Sequence, residues 1–240
     1  EMVSQVNLVQ QQFEIAQGKN IAQLPVRFDG HAIEVRVNAE RVEVQDNGSL
    51  NFVPEPGYVG EVHFPDETHV RVISAVEEGS LVPPYYDSMI AQIICWGSSR
   101  KEACSRMLDY LGKVRLEGIS TNLALSRMIL SDAEFLKGRF DTGFLKGFLE
   151  RIDFNELKSR IEHDSGDSGK GLSQEELLVP ETNEIKVISP QMGGFYLSPS
   201  PEEDPFVREG QVIDIEQPIC LLESMKVFSE INLAHFKSDD

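Results

Sequence analysis

The chain is 240 residues long, more than the roughly 100–150 of a typical single domain, and this length points to two modules. Its 40 acidic and 22 basic side chains leave a formal net charge of −18, a field that repels phosphate backbones and anionic lipid and so excludes nucleic acid and membrane surfaces as expected partners. No apolar run nears the ~18 residues of a spanning helix and no leader pattern opens the chain, so the reading is a soluble, cytoplasmic protein. Cys95, Cys104 and Cys220 sit inside apolar stretches without metal-ligand spacing, which predicts buried, reduced thiols rather than a disulfide framework. His31, His63, His69, His163 and His235 are scattered, and no metal site is expected.

Val3, Val6, Val9, Phe13 and Ala16 recur at spacings of three and four ahead of Gly18, predicting an amphipathic helix over Glu1–Gln17. From Gly30 the period becomes two. Ile33, Val35 and Val37 alternate with Glu34, Arg36 and Asn38, the pattern of a half-buried strand. Further β-rich runs at 50–53, 60–64, 70–76 and 89–96 are punctuated by Asn47-Gly48, Pro54-Glu55-Pro56-Gly57 and Pro83-Pro84, and suggest an antiparallel or mixed sheet. Ser99 with Glu102 forms a capping box ahead of the buried stripe Ala103, Met107, Leu108, Leu111, and Gly112 closes that helix. A second helix is expected over Thr121–Leu130, a turn opened by Ser131 with Glu134, and helix again over Phe144–Ile161.

Near Glu162 the composition changes to a glycine-rich, acidic stretch, read as a flexible linker over 162–183. After Pro180 the pattern is β again, at 185–188, 194–197, 211–213, 219–223 and 226–231. The expected fold class is α+β: a first module of sheet and packed helices over 1–161, the linker, and a small all-β module over 184–240. There is no G-x-x-x-x-G-K-[ST] phosphate loop.

The chemistry concentrates in the second module. Glu223-Ser224-Met225-Lys226-Val227 sets one lysine between two β-type runs, so Lys226 belongs at a hairpin turn with its amine in water, as an attachment point would. Upstream, Ser189-Pro190-Gln191-Met192-Gly193-Gly194 carries glycines that permit close backbone approach. This combination resembles the biotin carboxyl carrier domain of biotin-dependent carboxylases, in which a Ser-Pro-Met-x-Gly strand precedes an (Ala/Ser)-Met-Lys-Met hairpin whose lysine is acylated by biotin. The resemblance assigns biotin to Lys226, with Met225 in the same cofactor-binding turn; a lipoyl domain would show Asp-Lys-Ala instead. Ser224 and Val227 stand where Ala and Met are commoner. Pro199, Pro201 and Pro205 lie in an insertion similar to the thumb of acetyl-CoA carboxylase carriers, which tilts the acceptor toward acetyl-CoA and fatty acid biosynthesis.

Three segments of the first module, 30–40, 52–57 and 82–90, together with Gly118-Ile119-Ser120-Thr121-Asn122, resemble the C-terminal subdomain of biotin carboxylase. Arg36 falls on the family's biotin-holding arginine. Its permanently charged guanidinium suits the negative charge left on the ureido oxygen when the ring nitrogen loses its proton. Asp87 matches the aspartate of the Tyr-Asp-(Ser/Pro)-Met motif beside the active site. From the residues alone, Arg36 could equally be a surface partner of Glu34, and Asp87 a turn-capping carboxylate. Arg71 falls near the family's dimer contact, although Val72 and Ile73 replace the usual Trp and acidic residue, and Gln92 stands where Lys is common.

The resemblance implies an internal piece of a ligase. ATP, Mg and bicarbonate would act in an ATP-grasp part lying before Glu1, so this piece alone is expected to be inactive. The carrier is expected to be incomplete after Lys226, and hence less ordered than residues 30–130 and a poor ligase substrate. Expected partners are a carboxyltransferase component, biotin protein ligase and a second copy in a homodimer. The alternative from another class is a non-catalytic paralogue, a scaffold that dimerises and binds a partner without biotin.

Overall fold

The computed structural model describes residues 1–20, 22, 27–45, 48–165, 189 and 192–236. The alternation read from 31–38 places Ile33, Val35 and Val37 of strand β1 (His31–Asn38) on the buried face and leaves Glu34 and Arg36 outside. β1 pairs antiparallel with β8 (Met89–Gly97), which pairs antiparallel with β6 (Val70–Ser74), so the sheet order is β1-β8-β6.

Helix α2 (Arg100–Leu111) covers the inner face with Ala103, Cys104, Met107, Tyr110 and Leu111, and these join Ile33, Val35, Val37, Ile93 and Cys95 in one apolar cluster. Tyr110, fully buried, donates its hydroxyl to the Pro65 carbonyl at 2.9 Å, which satisfies its one polar atom. Gly97 permits the tight passage from β8 into α2: a Cβ there would lie 2.5 Å from the Ala103 amide nitrogen. Burial pushes the Cys95 thiol up to about 12 and raises Cys104 and Cys220, in keeping with three free, buried cysteines.

Three two-stranded antiparallel ribbons complete the β structure of this module: β2 (Glu40–Val44) with β3 (Leu50–Pro54), β4 (Gly57–Tyr58) with β7 (Leu81–Val82), and β5 (Val62–His63) with β9 (Arg115–Leu116). A second apolar cluster, built on Val42, Leu125, Phe148 and Leu157, joins β2 to α3 (Leu123–Ser131), α5 (Phe144–Leu149) and α6 (Phe154–Ser165). The second module is a three-stranded antiparallel sheet of order β10-β11-β12 (Gly194–Tyr196, Cys220–Ser224, Val227–Ile231), followed by a short 3-10 turn at Leu233–Phe236.

Several elements differ from the sequence reading. The first helix, α1, spans only Leu8–Ala16, and the Asn7 side chain accepts the Gln10 amide at 2.9 Å to cap it. Its residues include none that is buried, and Leu8, Val9, Phe13 and Ile15 are exposed, so the apolar stripe lacks a cover among the described residues. Ser99 caps α2 as expected, but the Glu102 carboxylate accepts the Ser98 amide rather than the Ser99 amide. The short helix α4 (Ala133–Lys137) is capped by Asp132, which accepts the amides of Glu134 and Phe135, while the Ser131 hydroxyl turns back to the Arg127 carbonyl. Helix 144–161 is two helices, because Asp153 accepts the Asn155 amide and starts a new one that runs on to Ser165. Residues 211–213 form no strand, and the strand expected at 185–188 lies outside the described residues.

Candidate functional site

The β11–β12 ladder closes on the pair Ser224 and Val227, leaving Met225 and Lys226 as a two-residue loop. Both have positive φ, 49° and 65°. That is the geometry of a type I′ hairpin turn, whose twist suits the flanking strands but which normally uses Asn-Gly. Holding non-glycine residues there costs on the order of 1–2 kcal/mol each, so the surroundings must impose the bend. Gly193 supplies part of that constraint. A Cβ on it would lie 2.3 Å from the Glu223 carbonyl oxygen, so only glycine lets this segment lie against the hairpin. Tyr196 braces the same strand: its hydroxyl donates to the Glu223 carboxylate at 2.5 Å, and this bond to the acid raises the phenol above its ordinary value.

The two loop residues face opposite ways. Lys226 is exposed. Among the described residues it has no ion pair, so its amine stands in water at the tip of the hairpin. Met225 is 4 % exposed, joins the apolar cluster of the first module, and donates its backbone N–H to the Pro84 carbonyl at 2.6 Å. The second module therefore touches the first through the residue next to Lys226.

Pro84 opens the loop that carries Asp87. The exposed Asp87 side chain accepts the Met89 amide at 3.2 Å, the local turn closure open to any Asp at such a bend. Ser88, which follows, is buried; its hydroxyl donates to the Glu40 carboxylate and its carbonyl accepts the Ala39 amide at 2.8 Å. These bonds tie the start of β8 to the end of β1. Arg36 lies opposite Gln92 on the outer face of the sheet, and its guanidinium pairs with Glu34 at 3.1 Å. Gln92 also donates to Glu34, at 3.4 Å. Arg36 and Asp87 thus have separate partners, whereas Met225 and the loop leading to Asp87 meet directly.

Asn122 is a positioning residue that the reading of single side chains missed. β1 is an edge strand, and Asn122 closes that edge by accepting the Asn38 amide at 3.0 Å and donating to the Arg36 carbonyl at 3.1 Å. Its signal was the Thr121-Asn122 pair in a segment already singled out. No group of three or more His, Cys, Asp or Glu side chains among the described residues could hold a metal ion.

The family model for the biotin carboxylase C-terminal domain matches residues 34–147, the span holding Arg36, Asp87 and Asn122, and the model for biotin-requiring enzymes matches residues 185–235, the span holding Lys226. Together the two matched spans resemble a fragment of a biotin-dependent carboxylase. Biotin carboxylase 1 of Bacillus subtilis (strain 168) is 40% identical over 150 residues, which cover 62% of this chain and 32% of that protein. Biotin carboxylase of Haemophilus influenzae is 39% identical over 158 residues, covering 65% of this chain and 33% of its own.

Among solved structures, the biotin carboxylase domain dimer of Hydrogenobacter thermophilus 2-oxoglutarate carboxylase, in complex with MgADP, ADP and bicarbonate, superposes with a TM-score of 0.54 at 31% identity, over 64% of this chain and 34% of that one. The biotin carboxylase subunit of pyruvate carboxylase gives 0.54 at 33% identity over 64% and 34%. The chain spans about a third of the length of the curated relatives it matches: 32% of Biotin carboxylase 1, for example. No helix among its described residues is long and apolar enough to cross a membrane.

Proposed function

We propose that the chain works as part of an ATP-dependent biotin carboxylase joined to its own carrier, with biotin attached to the Lys226 amine and Arg36 holding the biotin ring and stabilising the negative ureido oxygen formed when the ring nitrogen loses its proton. The observation that carries this reading is the turn itself: an exposed lysine held at the tip of a braced type I′ hairpin, within the span matched by the model for biotin-requiring enzymes. A solvated amine without an ion pair can be acylated without breaking any contact of the fold. Bound biotin supplies a ureido nitrogen that accepts and passes on a carboxyl group. ATP, Mg and bicarbonate would be handled by the parts of the relatives outside the matched third.

Arg36 contributes a fixed positive charge on the outer face of the β1-β8-β6 sheet, and Asn122 keeps the backbone beneath it in place. The Arg36–Glu34 pair is 69% and 40% exposed at its two side chains, so it adds little to stability. Loss of function on changing Arg36 is therefore separable from unfolding. Asp87 shapes the turn that starts β8 and acts as a positioning residue for the same end of the sheet.

A carboxyltransferase component would receive the carboxyl group. A homodimer through the first module, as in the Hydrogenobacter thermophilus biotin carboxylase domain, is the assembly we expect. Acetyl-CoA as acceptor, fatty acid biosynthesis and a cytoplasmic location belong to the same proposal, the first two resting on the proline-rich insertion at 199–205 and the last on three free, buried cysteines. In the intact enzyme, a streptavidin signal should be present and should vanish with Lys226→Arg. Arg36→Ala should cut biotin-dependent ATP turnover at least roughly a hundredfold, the loss typical of a group that stabilises developing charge. Full activity in Arg36→Ala would leave Arg36 a surface partner of Glu34.

A further inference from the structure

We propose that the loop around Pro84 is the docking surface for the carrier hairpin of this same chain, with Met225 as the anchor and the Pro84 carbonyl as its main-chain partner. The proposal rests on the reading of Lys226 as the biotin attachment site. The two residues of the turn divide the work: Lys226 points to water, while Met225 is 4 % exposed. The cover comes from the first module, because Met225 belongs to the large cluster of β1, β8 and α2 and not to the Cys220, Leu222, Ile231 cluster of its own sheet. Met is apt for this position, since an unbranched thioether chain fills an irregular apolar depression at small conformational cost.

The receiving loop has the right chemistry. Pro83 and Pro84 carry no N–H, so the segment cannot extend a two-way ladder with its neighbour, yet its carbonyls still need donors. The Pro84 carbonyl takes the Met225 amide at 2.6 Å. In a two-residue hairpin the first loop amide has no partner inside the turn, so this bond satisfies a donor that the hairpin leaves over. The contact is one side chain and one main-chain bond, small compared with stable interfaces. A shuttle must leave as well as arrive, and covalent connection to the first module makes a weak contact sufficient.

Place matters too. The docking loop runs into Ser88, whose carbonyl bonds Ala39, and Ala39 is three residues beyond Arg36 on the same run of chain. At ~3.3 Å per residue this is roughly 10 Å along the sheet. Docking by Met225 brings the lysine arm to the end of the sheet that bears Arg36.

The test is amide hydrogen exchange on this chain, read residue by residue. The residue-225 amide should exchange at least roughly tenfold more slowly than an open turn amide, because its bond to Pro84 must break first. In Met225→Glu, which keeps the N–H but puts a charge against the apolar cluster, that amide should reach the open rate while the β11–β12 ladder amides stay protected. An unprotected residue-225 amide beside a protected ladder in the unaltered chain would overturn the docking. That measurement does not depend on the variant folding. Streptavidin blotting separates the two claims. A protected amide in this chain, together with an intact enzyme never biotinylated at Lys226, would overturn the attachment reading and keep the contact. Biotinylated Lys226 with an unprotected amide would overturn the docking alone.

Discussion

The two modules hold their shapes by different means. In the first, the β1-β8-β6 sheet and α2 close over a continuous cluster that includes Tyr110, Met107, Ile93 and Val37, each with no more than a trace of exposure. Packing of that extent tolerates local imperfection. In the second, the described core is Cys220, Leu222 and Ile231 with Ile219 against them, while Phe195, Val212 and Phe228 stay exposed. Little apolar burial is set against the ordering of the chain, so the hairpin depends on backbone devices: the glycine approach at 193, the Tyr196–Glu223 bond and the contact of Met225 with the first module. A module that presents one lysine to more than one partner, as proposed for Lys226, needs a defined tip more than a deep core.

Matched overpacking variants break this comparison most sharply. A Cβ at Gly97 would meet the Ala103 amide nitrogen at 2.5 Å, and one at Gly193 would meet the Glu223 carbonyl oxygen at 2.3 Å. Each replacement by Ala should cost about 1–3 kcal/mol. In Gly97→Ala the first module should stay folded with a lower melting temperature by calorimetry. In Gly193→Ala the β10–β11 ladder should lose its amide protection altogether, because that sheet has little stability in reserve. Equal, modest effects on both would show that the second module is not the weaker one.

Helix capping gives a smaller effect confined to the first module. Burial alone would raise the Asp132 carboxyl, but the Phe135 amide, the Arg151 guanidinium and the Glu134 amide outweigh it and hold the group below its ordinary value of 3.8. A carboxyl depressed in the folded state stabilises above its unfolded pKa, and that stability is lost as the pH falls through the lower folded value. Asp132→Ala should cost about 1 kcal/mol at neutral pH, in line with the loss of an N-cap. It should also flatten the acid limb of the stability curve below pH 3.8, as read by urea titration at several pH values.

The smallest effect has the opposite sign. Ser224 is fully buried, and among the described residues its hydroxyl lacks a partner. An unsatisfied buried hydroxyl is unfavourable, so Ser224→Ala should stabilise the hairpin by up to about 1 kcal/mol, seen as slower exchange of the β11–β12 amides. Faster exchange would mean that the hydroxyl has a role in holding the turn.

Much of this was legible in the residues. The alternation at 31–38 placed β1 and its outward Arg36, Ser99 marked the start of α2, and the short segment between β-type runs put Lys226 in a turn. Each of these is a local signal with a fixed period or spacing. The ribbons β2–β3, β4–β7 and β5–β9 were harder to read, because two-residue strands have no period and exist only through distant partners. The stripe of α1 was legible as a pattern but not as exposure, since burial depends on what lies opposite. The meeting of Met225 with Pro84 joins positions 141 residues apart, and no local pattern announces it. Asp87 illustrates the remaining gap. Its type and place suit both a turn closure and a site residue, and the Met89 bond is the turn closure.

The central claim is that the Lys226 amine carries the cofactor. Intact-mass and peptide mass spectrometry of the native polypeptide, produced in a host with biotin ligase and ample biotin, tests it most directly. A single biotinyl adduct mapped to Lys226, and absent from Lys226→Arg, is the result expected. An unmodified Lys226 in an otherwise folded and complete protein would contradict the account.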